Sequence, residues 1–121
     1  MPHIIVEYSG NLDNALDVPG LLNALHQAMI ETGVADTAAI RTRAIRLEHF
    51  CIADRDPNNG FVQITVRMRE GRPKEAYQKV GESLMAAAES NLSGDQGVTA
   101  WSASRTLSGD KRSFVCRRNL T

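Results

Sequence analysis

The chain has 121 residues, with 14 basic and 14 acidic side chains, two cysteines and three histidines. That length fits one domain with a modest core, and zero net charge offers no bulk field to nucleic acid or an anionic membrane. No apolar run is long enough to span a bilayer, the first residues show no basic region followed by an apolar core as a secretory signal would, and two thiols without metal-ligand spacing point to a reducing, cytoplasmic setting.

Met1-Pro2 leads into His3-Ile4-Ile5-Val6-Glu7-Tyr8, whose isoleucine and valine content predicts a first strand. Proline suits the first position of a strand. Alternation sends Ile4 and Val6 to one face and Ile5 to the other. After a polar turn, Asp17 is a natural cap and Pro19 fits a first helical turn. Leu22, Leu25 and Met29, widened by Leu21 and Ala28, form an apolar stripe that Gly33 stops. Ile45 and Leu47 alternate with Arg46 and Glu48 in a second strand, with Arg41 and Arg43 at its start.

Asp56, Pro57, Asn58, Asn59 and Gly60 make a strong turn signal. Residues 61–68 then alternate almost perfectly, with Val62, Ile64, Val66 and Met68 on one side. Gly71 and Pro73 introduce a second helix striped by Tyr77, Val80, Leu84 and Ala88 and closed by Gly94 and Gly97. Residues 98–105 read as a weaker strand containing Trp101, a core or interface residue. A turn at Ser108, Gly109 and Asp110 precedes the short apolar segment Phe114-Val115-Cys116.

The pattern is strand–helix–strand written twice, displaced by roughly 55–60 residues. It predicts an α/β fold in a single domain over residues 1–121. Two consecutive β-α-β units, at residues 2–50 and 61–105, form a four-stranded sheet with both helices on one face. Residues 106–121 follow as a C-terminal segment. Right-handed crossovers place parallel strands side by side. The other sheet face, carrying Ile, Val and Met, then needs cover, which predicts an oligomer with inward-facing sheets.

Pro2 is the most informative candidate. Loss of Met1 leaves a cyclic secondary amine at a sheet edge, able to act as a base without histidine or metal. The competing reading is an ordinary strand-opening proline. Arg41 and Arg43 fall on one face of an extended segment, where two guanidiniums can hold a carboxylate or simply be solvated. Arg72 stands before Pro73 at a helix start, where free amides add positive potential. His3 neighbours Pro2, and Tyr8 and Tyr77 can donate to a ligand oxygen or pack in the core. His3, His26 and His49 lack metal-ligand spacing, and no phosphate loop or serine elbow occurs. No metal or cofactor is expected.

Pro2-His3-Ile4-Ile5-Val6-Glu7-Tyr8-Ser9, then Asn11, Pro19-Gly20-Leu21, Thr32-Gly33, Ile40-Arg41-Thr42-Arg43 and Gly71-Arg72 together resemble the 5-carboxymethyl-2-hydroxymuconate isomerase family of the tautomerase superfamily. The similarity is dense to Arg43 and thin beyond Val98. It implies a homotrimer of paired strand–helix–strand units whose processed N-terminal proline shuttles a proton. By position, Pro2 is the base, and Arg41 and Arg72 contact carboxylate or enolate. Arg43, His3 and Tyr8 are further substrate-binding candidates. The implied substrate is an unsaturated dicarboxylic acid with an adjacent enol or ketone, formed in aromatic-compound degradation. The reaction is an allylic proton shift without external cofactor.

Two other readings stand beside this one. The first is another tautomerase-type activity, on a keto/enol acid or a halogenated acid. The second is a non-catalytic α/β oligomer that binds an acidic metabolite, favoured by an occluded Pro2 or by arginines paired with Glu7, Glu31 or Glu48.

Overall fold

The computed structural model describes the backbone of residues 2–14, 16–57, 59–69, 71–92, 98–108 and 111–120, and side chains as far as residue 91. In chain order the elements are β1 (His3–Ser9), α1 (Val18–Thr32), β2 (Arg41–Leu47), β3 (Gly60–Arg69), α2 (Lys74–Leu92), β4 (Val98–Ser108) and β5 (Lys111–Leu120). Short 3-10 turns follow β1 at Gly10–Leu12 and precede β2 at Thr37–Ala39.

Helix α1 begins and ends where local chemistry predicts. The Asp17 carboxylate accepts from Gly20 N–H at 3.2 Å, and proline occupies the first turn. Gly33 ends the helix at φ 67°, a left-handed conformation that costs glycine little. The closing glycines foreseen for α2, Gly94 and Gly97, lie outside the described residues.

The sheet has five strands in the order β2-β1-β3-β5-β4, which corrects the four-stranded expectation. β1 is parallel to β2 and antiparallel to β3, as a first β-α-β unit feeding a reversed strand requires. In the second unit β3 and β4 are not neighbours. β5 lies between them, antiparallel to both. Only two residues separate β4 from β5, the span of a tight hairpin connection, so the last strand pairs back into the slot beside β3. Basic residues on both sides of Phe114-Val115-Cys116 hide the length of this strand from an apolar pattern search.

Ile4, Val6 and Tyr8 of β1 and Val62, Ile64, Val66 and Met68 of β3 face the helices. With Leu21, Leu25 and Met29 of α1 and Tyr77, Val80, Leu84 and Ala88 of α2 they form one buried cluster. Each large apolar side chain fully buried there contributes about 1.5–3 kcal/mol relative to exposure. The predicted helix stripes are therefore the core, although Leu22 and Ala28 only flank it.

The opposite face differs from the expected Ile, Val and Met surface. Val6, Val62 and Val66 are consumed under the helices with Met68. Register places His3, Ile5 and Glu7 there with Arg41, Arg43 and Ile45 of β2 and Gln63, Thr65 and Arg67 of β3. It is a mixed face, strongly basic toward the start of β1. Ile45 remains 44% exposed on it. Among the described residues, no helix is long and apolar enough to cross a membrane. Cys51 is a free, exposed thiol, and the side chains of Trp101 and Cys116 lie outside the described residues.

Candidate active site

Three segments meet at one end of the sheet. β1 and β2 begin together there, with His3 opposite Arg41. β3 finishes there, with Arg67 opposite His3 on the other side. Pro2 precedes β1, is buried, and its carbonyl accepts from Arg41 N–H at 3.0 Å. Arg72 follows the end of β3 and leads into α2. The topology thus gathers Pro2, His3, Arg41, Arg43 and Arg72, although their sequence positions lie in three separate segments.

Each arginine is held differently. Arg41 Nη1 donates to the carbonyls of Ala38 at 2.8 Å and Ile40 at 3.1 Å, which fixes the guanidinium at the start of β2. Its other nitrogens donate to no described residue. Arg72 is half-buried, and among the described residues its guanidinium has no hydrogen bond or ion pair. Its backbone, by contrast, is tightly defined. Gly71 turns the chain at φ 109°, open to glycine and strained for other residues. The fully buried Tyr77 then clamps the turn: its hydroxyl donates to the Arg69 carbonyl and accepts from Arg72 N–H at 3.3 Å. Tyr77 is a positioning residue, its hydroxyl engaged with backbone. The amide end of α2, close behind, adds positive potential.

Arg43 acts on His3. Its Nη1 lies 3.0 Å from His3 Nδ1. A guanidinium can only donate, so Nδ1 is the acceptor and the proton of this neutral ring sits on Nε2. Partial burial, and then the positive charges of Arg43, Arg41 and Arg67, push the His3 imidazole below its ordinary 6.5. The unfolded chain therefore holds more protons between the folded pKa and 6.5, and stability falls as pH drops through that window. Above it the His3 contribution is flat. Melting temperatures followed downward from neutral pH are expected to fall more steeply for the native chain than for His3→Gln. A gap between the two that does not change with pH contradicts this.

Tyr8 is not brought to this site. Six steps of extended strand separate it from Pro2, roughly 20 Å, and it is buried in the core beneath the helices. At that far end Arg46 pairs with Asp13 at 2.8 Å, and this bond holds the Asp13 carboxyl below its usual range. His26 on α1 bonds Thr42 at 2.7 Å on the helix side of β2. Among the described residues, no group of three or more His, Cys, Asp or Glu is placed to hold a metal ion.

A family model described as 5-carboxymethyl-2-hydroxymuconate isomerase matches residues 2–101. The chain belongs to that family. It is 34% identical over 84 residues to the 5-carboxymethyl-2-hydroxymuconate Delta-isomerase of Escherichia coli, an alignment covering 69% of this chain and 67% of that protein. A crystal structure of a 5-carboxymethyl-2-hydroxymuconate delta-isomerase superposes with a TM-score of 0.68 and 31% identity, covering 77% of this chain and 72% of that one. The 5-carboxymethyl-2-hydroxymuconate isomerase of Deinococcus radiodurans R1 gives a TM-score of 0.70 and 29% identity, covering 76% and 69%. The Q0 fused 4-OT wild type symmetric trimer, at 17% identity and a TM-score of 0.52 over 77% of this chain and 76% of that one, shares the fold.

Burial of Pro2 is by itself ambiguous. A buried Pro2 favours a binding module if the residue is merely structural, yet a solvent-poor setting also suits a neutral amine. Among the described residues, Arg41, Arg43 and Arg72 form no ion pair with Glu7, Glu31, Glu48 or any other acid, the pairing that would favour a binding module. Two placements at this sheet end are not readable from residue order. Alternation does place Arg67 opposite Val62, Ile64 and Val66, but only strand pairing sets it beside His3. Tyr77 is legible as a core residue, while its grip on the Arg72 turn is not.

Proposed function

We infer that this chain is an isomerase that moves a double bond by proton transfer in an unsaturated 2-hydroxy/2-oxo dicarboxylic acid of the 5-carboxymethyl-2-hydroxymuconate type, a muconate whose carboxymethyl arm adds a third carboxylate. The observation that carries this reading is the convergence of Pro2 with Arg41 and Arg72 at one sheet end, within a chain of that isomerase family. Once Met1 is removed, the Pro2 nitrogen is the base. An α-amine starts at about pKa 7.7–8.0, closer to neutrality than a lysine. Desolvation and nearby guanidiniums disfavour its protonated form further.

The neutral nitrogen takes a proton from the 2-hydroxyl or an adjacent carbon and returns it at a distant carbon of the conjugated system. Negative charge grows on the 2-oxygen as the proton leaves. One arginine faces that charge and another holds a carboxylate, so the reacting atoms meet the amine in a fixed pose. Arg72, with the amide end of α2 behind it, suits the enolate; Arg41, anchored at the start of β2, suits the carboxylate. His3, kept neutral by partial burial and then by Arg43, offers an Nε2–H donor at the same place. Charge stabilisation and proton transfer are both accounted for by side chains and the chain's own amine. We further propose a cytoplasmic homotrimer in which the mixed face of the sheet, with Ile45 exposed on it, turns toward neighbouring subunits.

The test is conversion of 5-carboxymethyl-2-hydroxymuconate by purified chain whose intact mass shows Met1 removed, in deuterated water. The expected outcome is rapid loss of the dienol absorbance with one deuterium carried into the new carbon–hydrogen bond. Decay no faster than in buffer overturns the reading.

A further inference from the structure

Beside Pro2 the open face of the sheet carries more positive charge than the proposed chemistry has used. Arg41, His3 and Arg67 form one row across β2, β1 and β3, in adjacent register positions. Neighbouring strands lie about 4.8 Å apart, so the Cα atoms of Arg41 and Arg67 are roughly 10 Å apart with His3 between them. Arg67 is exposed, and among the described residues its guanidinium has neither hydrogen bond nor ion pair. Glu7 shares this face two rows along, between Ile45 and Gln63, and pairs with none of these arginines. Three guanidiniums around one neutral imidazole repel one another unless an anion sits among them.

The substrate class supplies such an anion. A 5-carboxymethyl-2-hydroxymuconate carries two muconate carboxylates and a third on its carboxymethyl arm. Arg41 and Arg72 account for one carboxylate and the enolate oxygen. Arg43 spends a donor on His3, one row farther from Pro2. The cation at the front row that this assignment leaves unused is Arg67.

We propose that Arg67 is a substrate-binding residue that holds the carboxylate of the carboxymethyl arm and so makes the enzyme prefer a tricarboxylate to a dicarboxylate. This rests on the isomerase reading above and adds a specificity determinant to it. A guanidinium suits the task because it grips a carboxylate through two parallel hydrogen bonds.

The experiment compares the native chain, Arg67→Gln and Arg67→Lys on 5-carboxymethyl-2-hydroxymuconate and on 2-hydroxymuconate, which lacks the arm, with sedimentation to follow assembly. For Arg67→Gln the expected result is a loss in kcat/KM of about tenfold or more on the tricarboxylate, mostly through KM, and less than about twofold on the dicarboxylate. Arg67→Lys restores most of the loss. Equal losses on both substrates, unchanged kinetics, or a loss that tracks dissociation of the assembly overturns the assignment, the last by giving Arg67 to a subunit contact. A native chain inert toward both compounds brings down the isomerase reading itself, and this inference with it.

Discussion

Inserting a bulky residue between Met1 and Pro2, so that the proline nitrogen stays acylated, is expected to lower kcat/KM by about 10²–10⁴-fold, the usual contribution of a positioned acid–base group. An amide nitrogen has no basic lone pair. The fold should tolerate the change well. β1 and its pairing begin at His3, so acylating the Pro2 nitrogen removes no hydrogen bond from the strand. The bond from Arg41 N–H to the Pro2 carbonyl uses the other side of the residue and survives. Thermal melts should therefore overlay while turnover collapses. If the extended chain keeps full activity, the amine is not the base.

Arg72→Gln carries the second large effect. Removing a donor aimed at developing oxyanion charge costs about 10²–10³-fold in rate, and we predict a loss of that order in kcat, with KM moved less. The half-buried guanidinium has no acidic partner among the described residues, so its removal strands no buried countercharge. Stability should shift by no more than about 0.5 kcal/mol, as for an ordinary surface substitution. Steady-state kinetics with parallel melts separate the two quantities. A large drop in stability with a proportionate loss of activity would make Arg72 a structural residue of the β3–α2 turn instead.

Much of this was legible in residue order. Asp17 and Gly33 bound α1 through elementary capping chemistry, and period-two alternation over residues 61–68 identified the core face of β3. Arg41 and Arg72 joined Pro2 as candidates through the family resemblance, and the parallel pairing of β1 with β2 and the start of α2 after β3 bring them to one sheet end. What alternation does not encode is which strands become neighbours. β5 was missed because its apolar centre is flanked by arginines, and with it went the five-stranded order. Arg67 was missed for a related reason, since only the register with β1 sets it beside His3. Tyr8 failed in the opposite direction. Residue type left its hydroxyl open to a ligand oxygen or to the core, and six steps of extended strand set it roughly 20 Å from Pro2, in the core.

The account depends on an amine that is neutral when the substrate arrives. Its most direct test is a ¹⁵N titration of the Pro2 nitrogen in the processed chain, set against the pH dependence of kcat/KM. The expected result is a pKa below the ordinary α-amine range of about 7.7–8.0, coinciding with the acidic limb of the rate profile. An amine still protonated across the pH range of full activity would contradict it.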